Sequence, residues 1–381
     1  MENNRIGSRL NADNQTYKPT PDLQGRGRSR YGEKLRTFLK DWTLIIAIVA
    51  GVAGYFVYRW IPGIDPVRPY VYPAIGIIQP LLIFAMLFLT FCRIELTDLR
   101  LQRWHLLLLL FQGGLFCGIG IALIAMPHSG LRVVLEGAMI CLICPTATAG
   151  AVITKKLGGD VSHITTYTIL INLTAAILIP LLVPFVHPSA GMGVVEAGLK
   201  ILLKVFPLLL LPLITAAALK HIFPHFIERI AGYQEVSFYL WAIALALATA
   251  VTTRSIVLSN ISLSTQLWLV AVSLVCCLLQ FWLGRKIGER YGAKITAGQS
   301  LGQKNTVLAI WVGYSFFTPV TAIVGGFYSI WHNLFNSWQL YNHKKHHSGP
   351  EEDSSSMLSD RQTRKAENSG ADGEEHTQHQ H

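Results

Sequence analysis

The chain has 381 residues, of which 51% are hydrophobic and only 14% are charged. Soluble domains carry roughly 25% charged residues, so this composition excludes an ordinary soluble protein. The formal net charge of +10 does not indicate nucleic-acid binding, because most basic residues lie in short loops and in the tails, where they orient a membrane protein. The sequence therefore predicts an all-α integral membrane protein embedded in a lipid bilayer.

Ten largely apolar segments follow one another along the chain, and about 20 residues are enough to cross a bilayer. The predicted spans cover residues 42–61, 71–92, 104–126, 133–157, 161–186, 194–219, 236–258, 265–283, 295–317 and 319–341. They form one domain, 41–341, between a polar N-terminal tail, 1–40, and a C-terminal tail, 342–381. The C-terminal tail is rich in Glu, Ser, His and Gln, and we expect it to be disordered.

Loop charge predicts the orientation of the spans. The connectors after the second, fourth, sixth and eighth spans, together with both tails, hold most of the Lys and Arg residues. Cytoplasmic loops carry an excess of these residues, so we expect both termini on the cytoplasmic side of the cytoplasmic (inner) membrane. The N-terminal tail lacks the pattern of a cleavable signal, and we interpret it as a cytoplasmic tail.

The six cysteines lie in or beside apolar segments. Cys141 and Cys144 form a CxxC pair, but no second pair and no histidines stand at metal-ligand spacing. The histidines of the C-terminal tail follow no such spacing either. We therefore predict no metal, no cofactor and no catalytic residue.

The fourth and ninth spans are interrupted by residues that a lipid-facing helix does not tolerate. Residues 144–154 read CPTATAGAVIT, and residues 297–306 read AGQSLGQKNT. Such sequence occurs at membrane depth only where it is buried in protein or lines a cavity. Paired interruptions at corresponding places in the two halves of a chain indicate the binding site of a secondary transporter.

The connector 187–193 divides the spans into two sets of five, and the fourth span of each set is the interrupted one. An odd number of spans gives the two sets opposite orientations in the membrane, as in inverted-repeat transporters. The halves barely resemble each other in sequence, so this prediction of two inverted five-helix repeats rests on the placement of the interruptions.

The interruption in the fourth span has chemistry that suits an anion. Pro145 lacks a backbone donor and Gly150 permits close approach, while Thr146 and Thr148 can satisfy freed backbone groups or line a site. A broken helix presents an N-terminus with partial positive charge at mid-membrane, where an anionic group is a favourable ligand. The alternative is a proline kink stabilised by threonines, which is common in membrane helices.

Lys304 is the most informative residue of the ninth span. A lysine near mid-span costs at least ~2.5–3.5 kcal/mol on insertion scales, so it generally faces a cavity or a partner. An ammonium group in such a place can also carry a proton. The alternative is that the side chain snorkels to the nearer membrane surface, beside the polar residues that precede it.

Further polar groups lie inside apolar runs, among them Gln112, Thr168, His332 and Asn333. Each one by itself is typical of a hydrogen bond between helices rather than of a ligand. No acidic residue is placed in the middle of a span.

These motifs resemble those of the bile acid:sodium symporter family. The similarity lies in CPTATAGAVITKKLGGD at 144–160, GQKNT at 302–306 and YSIWHN at 328–333, and it extends over roughly residues 40–341. The resemblance implies ten spans in two inverted sets of five, with crossing broken helices in the fourth and ninth. It further implies a core of spans three to five and eight to ten that moves against a panel of spans one, two, six and seven.

Members of that family that bind two sodium ions use a Ser-Asn pair in the fourth span and a shared glutamate in the ninth. This sequence has Gly150 and Ala151 at the first place and Ser300 at the second. Lys304 replaces a glutamine of the family, beside a retained Asn305. The principal anionic sodium ligand is therefore missing, and a cation stands beside its place.

Gln112 and Thr168 match ligand positions that the family retains. The predicted substrate and ion site comprises Gln112, Thr146, Thr148, Gly150, Ala151, Thr168, Ser300, Gln303, Lys304, Asn305, Thr306, His332 and Asn333. We interpret the Lys304 ammonium as a replacement for bound sodium, which makes transport sodium-independent and either proton-coupled or uniport-like.

The favoured function is secondary active transport of a small organic anion, with the choice between proton and sodium as coupling ion left open. A proton-coupled antiporter or efflux carrier of the same superfamily is one alternative. A non-transporting membrane sensor is another, although the C-terminal tail holds no recognisable output domain. A membrane enzyme is less favoured, because the sequence shows no paired carboxylates or metal cluster and only His332 offers a catalytic group.

Overall fold

A computed structural model describes residues 43, 45–63, 66–94, 97, 99–188, 191–258 and 261–347 of the chain. The predicted N-terminal tail, 1–40, lies outside the described residues, and so does the predicted C-terminal tail beyond His347. By its internal contacts the chain divides into residues 1–46 and 47–381. All packing described below lies within the second unit.

Within the described residues the protein is built of helices, without a β-strand, so the prediction of an all-α protein is confirmed. The helices are α1 (Ile45–Trp60), α2 (Arg68–Phe91), α3 (Arg103–Ala125), α4 (Arg132–Ile143), α5 (Ala149–Lys156), α6 (Val161–Val186), α7 (Val194–Ile222), α8 (Pro224–Gly232), α9 (Gln234–Leu258), α10 (Leu263–Glu289), α11 (Lys294–Gly302), α12 (Thr306–Phe316) and α13 (Ile323–His347).

Six of the described helices are long and apolar enough to cross a membrane: α2, α3, α6, α7, α10 and the segment Val236–Leu258 of α9. Two more, α1 and α12, are apolar but shorter. Large apolar side chains stand exposed on these helices, among them Leu110, which is 72% exposed. Soluble proteins rarely expose extended apolar surface. The surface of this chain therefore suits lipid, and the protein is a membrane protein.

The predicted interruptions of the fourth and ninth spans are confirmed. The fourth consists of α4 and α5, of 12 and 8 residues, and the ninth of α11 and α12, of 9 and 11 residues. Each half is too short to cross a bilayer. The last helix, α13, is long, but polar side chains such as Ser329, Asn333 and Asn336 recur along it. For these reasons only six of the described helices are both long and strongly apolar.

Several helix boundaries differ from the sequence prediction. α10 continues to Glu289, into a segment predicted as a loop, because Arg285 and Lys286 are favourable helix residues. α13 continues to His347, past the predicted end at 341. Pro224 opens α8 inside a predicted basic loop, at the first helical position that proline favours.

The helices pack in two groups. In the first group, α10 contacts α4, α11 and α13, and α3 contacts α4 and α6. In the second group, α2 contacts α7 and α9, and the consecutive helices α6 and α7 join the two groups. One apolar core contains residues of both groups, such as Leu209 of α7 and Phe281 of α10. Both interrupted spans contribute to the first group.

Glycines bring α10 and α11 into backbone contact. A Cβ atom on Gly284 would lie 2.5 Å from the Ala297 carbonyl oxygen, and one on Gly288 would lie 2.5 Å from the Ala297 Cβ atom. Small residues spaced four apart let membrane helices approach this closely. At the end of α11, a Cβ atom on Gly302 would lie 2.4 Å from the ring of Phe281. Close contact with α10 therefore fixes the position of the second interruption.

Candidate functional site

The two interruptions meet inside the protein. The Ala147 N–H donates a hydrogen bond of 2.9 Å to the Gln303 carbonyl oxygen, and the Asn305 N–H donates one of 2.9 Å to the Pro145 carbonyl oxygen. These bonds flank an isolated antiparallel bridge between the two segments. Backbone groups that the broken helices leave open are thus paired across the crossing, as burial at membrane depth requires.

Thr146 fastens the first interruption to the end of α11. Its hydroxyl donates a hydrogen bond of 2.6 Å to the Ser300 carbonyl oxygen, and both residues are buried. The Ser300 hydroxyl itself has no hydrogen-bond partner within the described part of the chain. Thr146 therefore joins the two half-helices, and its hydroxyl proton is not available to a ligand.

The carbonyl groups at the C-terminal end of α4 accept hydrogen bonds from three side chains. Gln280 donates to the Cys141 oxygen (3.2 Å), Lys304 to the Leu142 oxygen (3.4 Å), and Gln112 to the Ile143 and Cys144 oxygens (3.3 and 3.2 Å). The last carbonyl groups of a helix have no partner within it and carry partial negative charge, which favours a nearby cation. Lys304 therefore places its positive charge at the negative end of α4.

The Lys304 side chain is buried in protein, with 1% of its surface exposed. It does not extend to the membrane surface, so the snorkelling alternative is wrong. The ionisable groups around its ammonium are four thiols, those of Cys141, Cys144, Cys276 and Cys277. Among the residues that the structure describes, no carboxylate is recorded beside it. The polar partner of the Lys304 ammonium is thus the Leu142 carbonyl group at the end of α4.

The C-terminal end of α11 is closed in a similar way. The Tyr328 hydroxyl donates a hydrogen bond of 2.8 Å to the Gly302 carbonyl oxygen, and Gln280 donates one of 3.1 Å to the Tyr328 oxygen. On the other side of α4, the Tyr167 hydroxyl donates a bond of 2.8 Å to the Gln112 side-chain oxygen. Side chains therefore close the negative ends of both first half-helices.

The N-terminal ends of the second half-helices, α5 and α12, border a cavity of about 30 Å³. Its walls include Met86, Thr148, Trp241, Gln303, Lys304, Asn305, Thr306, His332 and Asn333. Such a cavity has room for no more than a few water molecules, so it is closed to a larger organic ligand in this conformation. Helix N-termini carry partial positive charge. These helix ends make the cavity electropositive, and Lys304 is one of its walls.

The two N-termini differ in how they are capped. The Asn305 side chain accepts a hydrogen bond of 3.1 Å from the Leu308 N–H and so caps α12. Thr148, at the equivalent place of α5, makes no side-chain capping bond. His332 closes another side of the cavity; it is 4% exposed, and its Nδ1 atom lacks a partner among the described residues. The α5 N-terminus and this ring nitrogen are therefore open to a ligand.

The predicted site residues fall into three sets. Those that line the cavity are Thr148, Gln303, Lys304, Asn305, Thr306, His332 and Asn333. Those that contact the interruptions behind it are Gln112, Thr146, Gly150 and Ser300. The remaining two, Ala151 and Thr168, are not among the cavity walls, and the Thr168 hydroxyl donates to the Ile164 carbonyl oxygen of its own helix.

Several residues that support the site were not predicted from the sequence. Gln280 and Tyr328 close helix ends, and Asn336 joins two side chains of the ninth span. Its amide accepts a bond of 3.0 Å from Gln299 and donates one of 2.6 Å to Gln303. Gln280 could have been predicted from the sequence, because it is an amide inside an apolar run, as Gln112 is.

Comparison with known proteins identifies the family. Residues 70–340 match the SBF-like CPA transporter family (DUF4137). The matched segment is well over half of the chain and contains both interruptions. No curated protein matches the sequence. The resemblance predicted from the motifs is confirmed, because this family is related to the bile acid:sodium symporters.

Proposed function

Because the chain belongs to the SBF-like CPA transporter family, we propose that this membrane transporter carries a small organic anion by secondary active transport. The observation that carries the proposal is the electrical arrangement at the crossing of the interruptions. The negative helix ends are closed by side chains, while the positive ends of α5 and α12 border a cavity beside Lys304. An anionic group is the ligand that this arrangement favours.

The proposed architecture has ten spans in two inverted sets of five, with both termini on the cytoplasmic side of the inner membrane. The core comprises α3 to α6 and α10 to α13, and the panel comprises α1, α2, α7 and α9. The cavity has walls from both parts, since Met86 and Trp241 belong to the panel and Lys304 and Asn305 to the core. Movement of the panel against the core therefore enlarges the cavity and exposes it to one side, as alternating access requires.

Lys304 takes the place of a coupling sodium ion in this proposal. Hard cations bind through oxygen atoms, and the carbonyl oxygens at the end of α4 already accept bonds from the ammonium and from two amides. The Ser300 position offers a hydroxyl where sodium-binding relatives have a carboxylate. A fixed positive charge then balances the substrate's negative charge without a bound sodium ion.

Proton-coupled antiport or efflux is the second candidate function. It is favoured by the isolation of the Lys304 ammonium, which has four thiols and no carboxylate among its recorded ionisable neighbours in the described part of the chain. Ionisable residues inside membrane spans mark substrate and proton pathways. In that mechanism the lysine gains and loses a proton in each transport cycle.

Flux into liposomes tests the proposal. Small carboxylates and sulfonates are first screened for those that raise the melting temperature of the purified protein, since a native-state ligand stabilises it. Radiolabelled hits are then offered to proteoliposomes in sodium and in choline buffers, with and without a pH gradient. We expect uptake at equal rates in both cations; a pH gradient that accelerates uptake favours the proton-coupled candidate.

Two lysine variants control this measurement. Lys304→Gln removes the cation at the crossing, and Lys204→Gln removes an exposed cation on α7. We expect the first to lose most of its uptake and the second to retain it. A strict sodium requirement of the wild type, with Lys304→Gln fully active, would refute the role of the lysine. Stabilising anions that never cross the membrane would indicate a sensor.

A further inference from the structure

A second cavity, of about 460 Å³, lies between α10 and α13 and shares no residue with the cavity at the crossing. Leu278, Trp282, Lys286 and Glu289 line it from α10. Because residues three or four apart share a helix face, they form one stripe that changes from apolar to charged toward the end of α10. Trp338 borders it from α13.

The apolar part of this groove faces outward. Trp282 is 60% exposed and Trp338 is 54% exposed, and each lies in the C-terminal half of its helix. Exposed tryptophan is enriched at the membrane–water interface, where its ring sits at headgroup level. The stripe beyond Trp282 therefore enters the headgroup region, and the part around Leu278 faces acyl chains.

The charged end of the groove has an excess of positive charge. Arg285, Lys286 and Lys294 stand around a single carboxylate, that of Glu289, and Lys294 binds this carboxylate at 2.7 Å. The positive charges of Arg285 and Lys286 are not neutralised by this ion pair. This end of the groove lies at the connector after the eighth span, which is predicted to be cytoplasmic. Cytoplasmic leaflets carry anionic lipids, and these attract basic clusters.

We propose that this groove binds an anionic phospholipid. The phosphate group lies on Arg285 and Lys286, and an acyl chain follows Leu278 between Trp282 and Trp338. Neutral lipids lack the net negative charge that complements the basic end. This proposal is independent of the transported substrate and of the role of Lys304.

The groove also contacts the elements that hold the second interruption. A Cβ atom on Gly298 would lie 2.5 Å from Arg285 Cγ, so the stem of this arginine packs on α11. Phe335, a further wall residue, has its ring centroid 4.3 Å from that of Phe281, which in turn packs against Gly302. A bound lipid therefore braces α10, α11 and α13 together, and we expect it to raise the melting temperature of the whole protein.

Delipidated full-length protein in neutral detergent provides the test. Phosphatidylglycerol and phosphatidylcholine with the same acyl chains are titrated separately, and binding is followed by native mass spectrometry and by thermal melting. We expect phosphatidylglycerol to bind more tightly and to raise the melting temperature more. In the double variant Arg285→Gln/Lys286→Gln we expect its affinity to fall about 30-fold, as two lost basic contacts at an anionic lipid surface imply.

Matched controls separate the site from general charge effects. Lys200→Gln/Lys204→Gln makes the same charge change on exposed residues of α7, and we expect it to keep wild-type affinity. Since the Arg285 stem is packed, Lys286→Glu provides a second variant at an exposed position, and we expect it also to bind phosphatidylglycerol more weakly. Equal binding of the two lipids, or unchanged binding by both groove variants, overturns the proposal. Equal stabilisation by inorganic phosphate at the same concentration also overturns it, because the ligand is then a free anion.

Discussion

The two interruptions occupy corresponding places in the fourth and ninth spans, yet they are built from different chemistry. In the first, Pro145 removes a backbone donor, and the segment contributes carbonyl oxygens and threonines to the crossing. The second contains no proline, and its residues 303–305 read Gln-Lys-Asn. The end of α4 supplies the carbonyl oxygen that the Lys304 ammonium of the second segment binds, and Thr146 and Ala147 of the first segment donate to carbonyl oxygens of the second. The two halves of this protein are therefore complementary, and neither forms the site alone.

The interruptions also differ in how they are held in position. The second follows α11, which glycines bring into backbone contact with α10. The end of α4 instead depends on hydrogen bonds from Gln112, Gln280 and Lys304. The second interruption is thus held by close packing as well as by the polar contacts of Tyr328 and Asn336, whereas the end of α4 is held by polar contacts. Substitutions that remove one kind of support distinguish the two.

The largest effect is expected from Gly284→Leu, which breaks the support by shape. The new Cβ atom alone would lie 2.5 Å from the Ala297 carbonyl oxygen, and neither backbone can yield without separating α10 from α11. Overpacking of this kind costs about 3 kcal/mol. We expect a large fall in the melting temperature and loss of uptake. Gly114→Leu is the control, since a Cβ atom at Gly114 meets nothing within 4 Å; if both variants melt alike, close packing is not what holds α11.

A smaller effect is expected from Gln112→Leu, which removes polar support from the first interruption. The change leaves the Ile143 and Cys144 carbonyl oxygens and the Tyr167 hydroxyl without this partner. Buried groups left unpaired cost about 1–3 kcal/mol each, and we expect a net loss of about 2 kcal/mol in the free energy of unfolding.

Gln79→Leu is the matched control for this amide. Gln79 is also a buried glutamine, but its recorded side-chain bond is the one it accepts from the Tyr314 hydroxyl. We expect it to cost about 1 kcal/mol. Equal losses in the two variants, measured by chemical denaturation, would show that the end of α4 needs no special support.

The smallest effect is expected at the N-terminus of α12. Asn305→Ala removes a capping bond and is expected to cost about 1 kcal/mol, whereas Thr148→Ala at α5 removes none and is expected to change stability little. Asn305→Asp keeps the cap, so we expect it to retain stability while reducing anion uptake through its negative charge. Wild-type uptake by Asn305→Asp would contradict an electropositive cavity.

Local sequence signals predicted the interruptions, and long-range contacts account for what was missed. Pro145 and the polar run before Thr306 interrupt a helix through local effects that do not depend on its neighbours. The interruptions could therefore be predicted from the sequence. The bonds that Gln280 forms with Cys141 and Tyr328 depend on how α10, α4 and α13 are arranged. The spacing of residues in the sequence does not indicate how these three helices pack.

Lys304 illustrates the same limit within the candidate site. Its sequence neighbours are polar, and they left snorkelling open as the alternative to the favoured burial. The Lys304 ammonium donates a hydrogen bond to Leu142, a residue of another span. The burial of Lys304 thus depends on a contact that is distant in the sequence. The inverted repeat, the count of ten spans and the transported anion remain predictions of the sequence and of the family.

The most direct test of the central claim, that the Lys304 ammonium replaces bound sodium, is the melting temperature of the purified protein in sodium chloride and in choline chloride at equal ionic strength. A sodium ion present at 100 times its dissociation constant would stabilise the folded protein by about 2.7 kcal/mol. We predict equal melting temperatures for the wild type in the two salts, with Lys304→Gln melting lower than the wild type in both. A sodium-specific rise in the wild type would contradict the claim, because it would mean that an ion site persists beside the lysine.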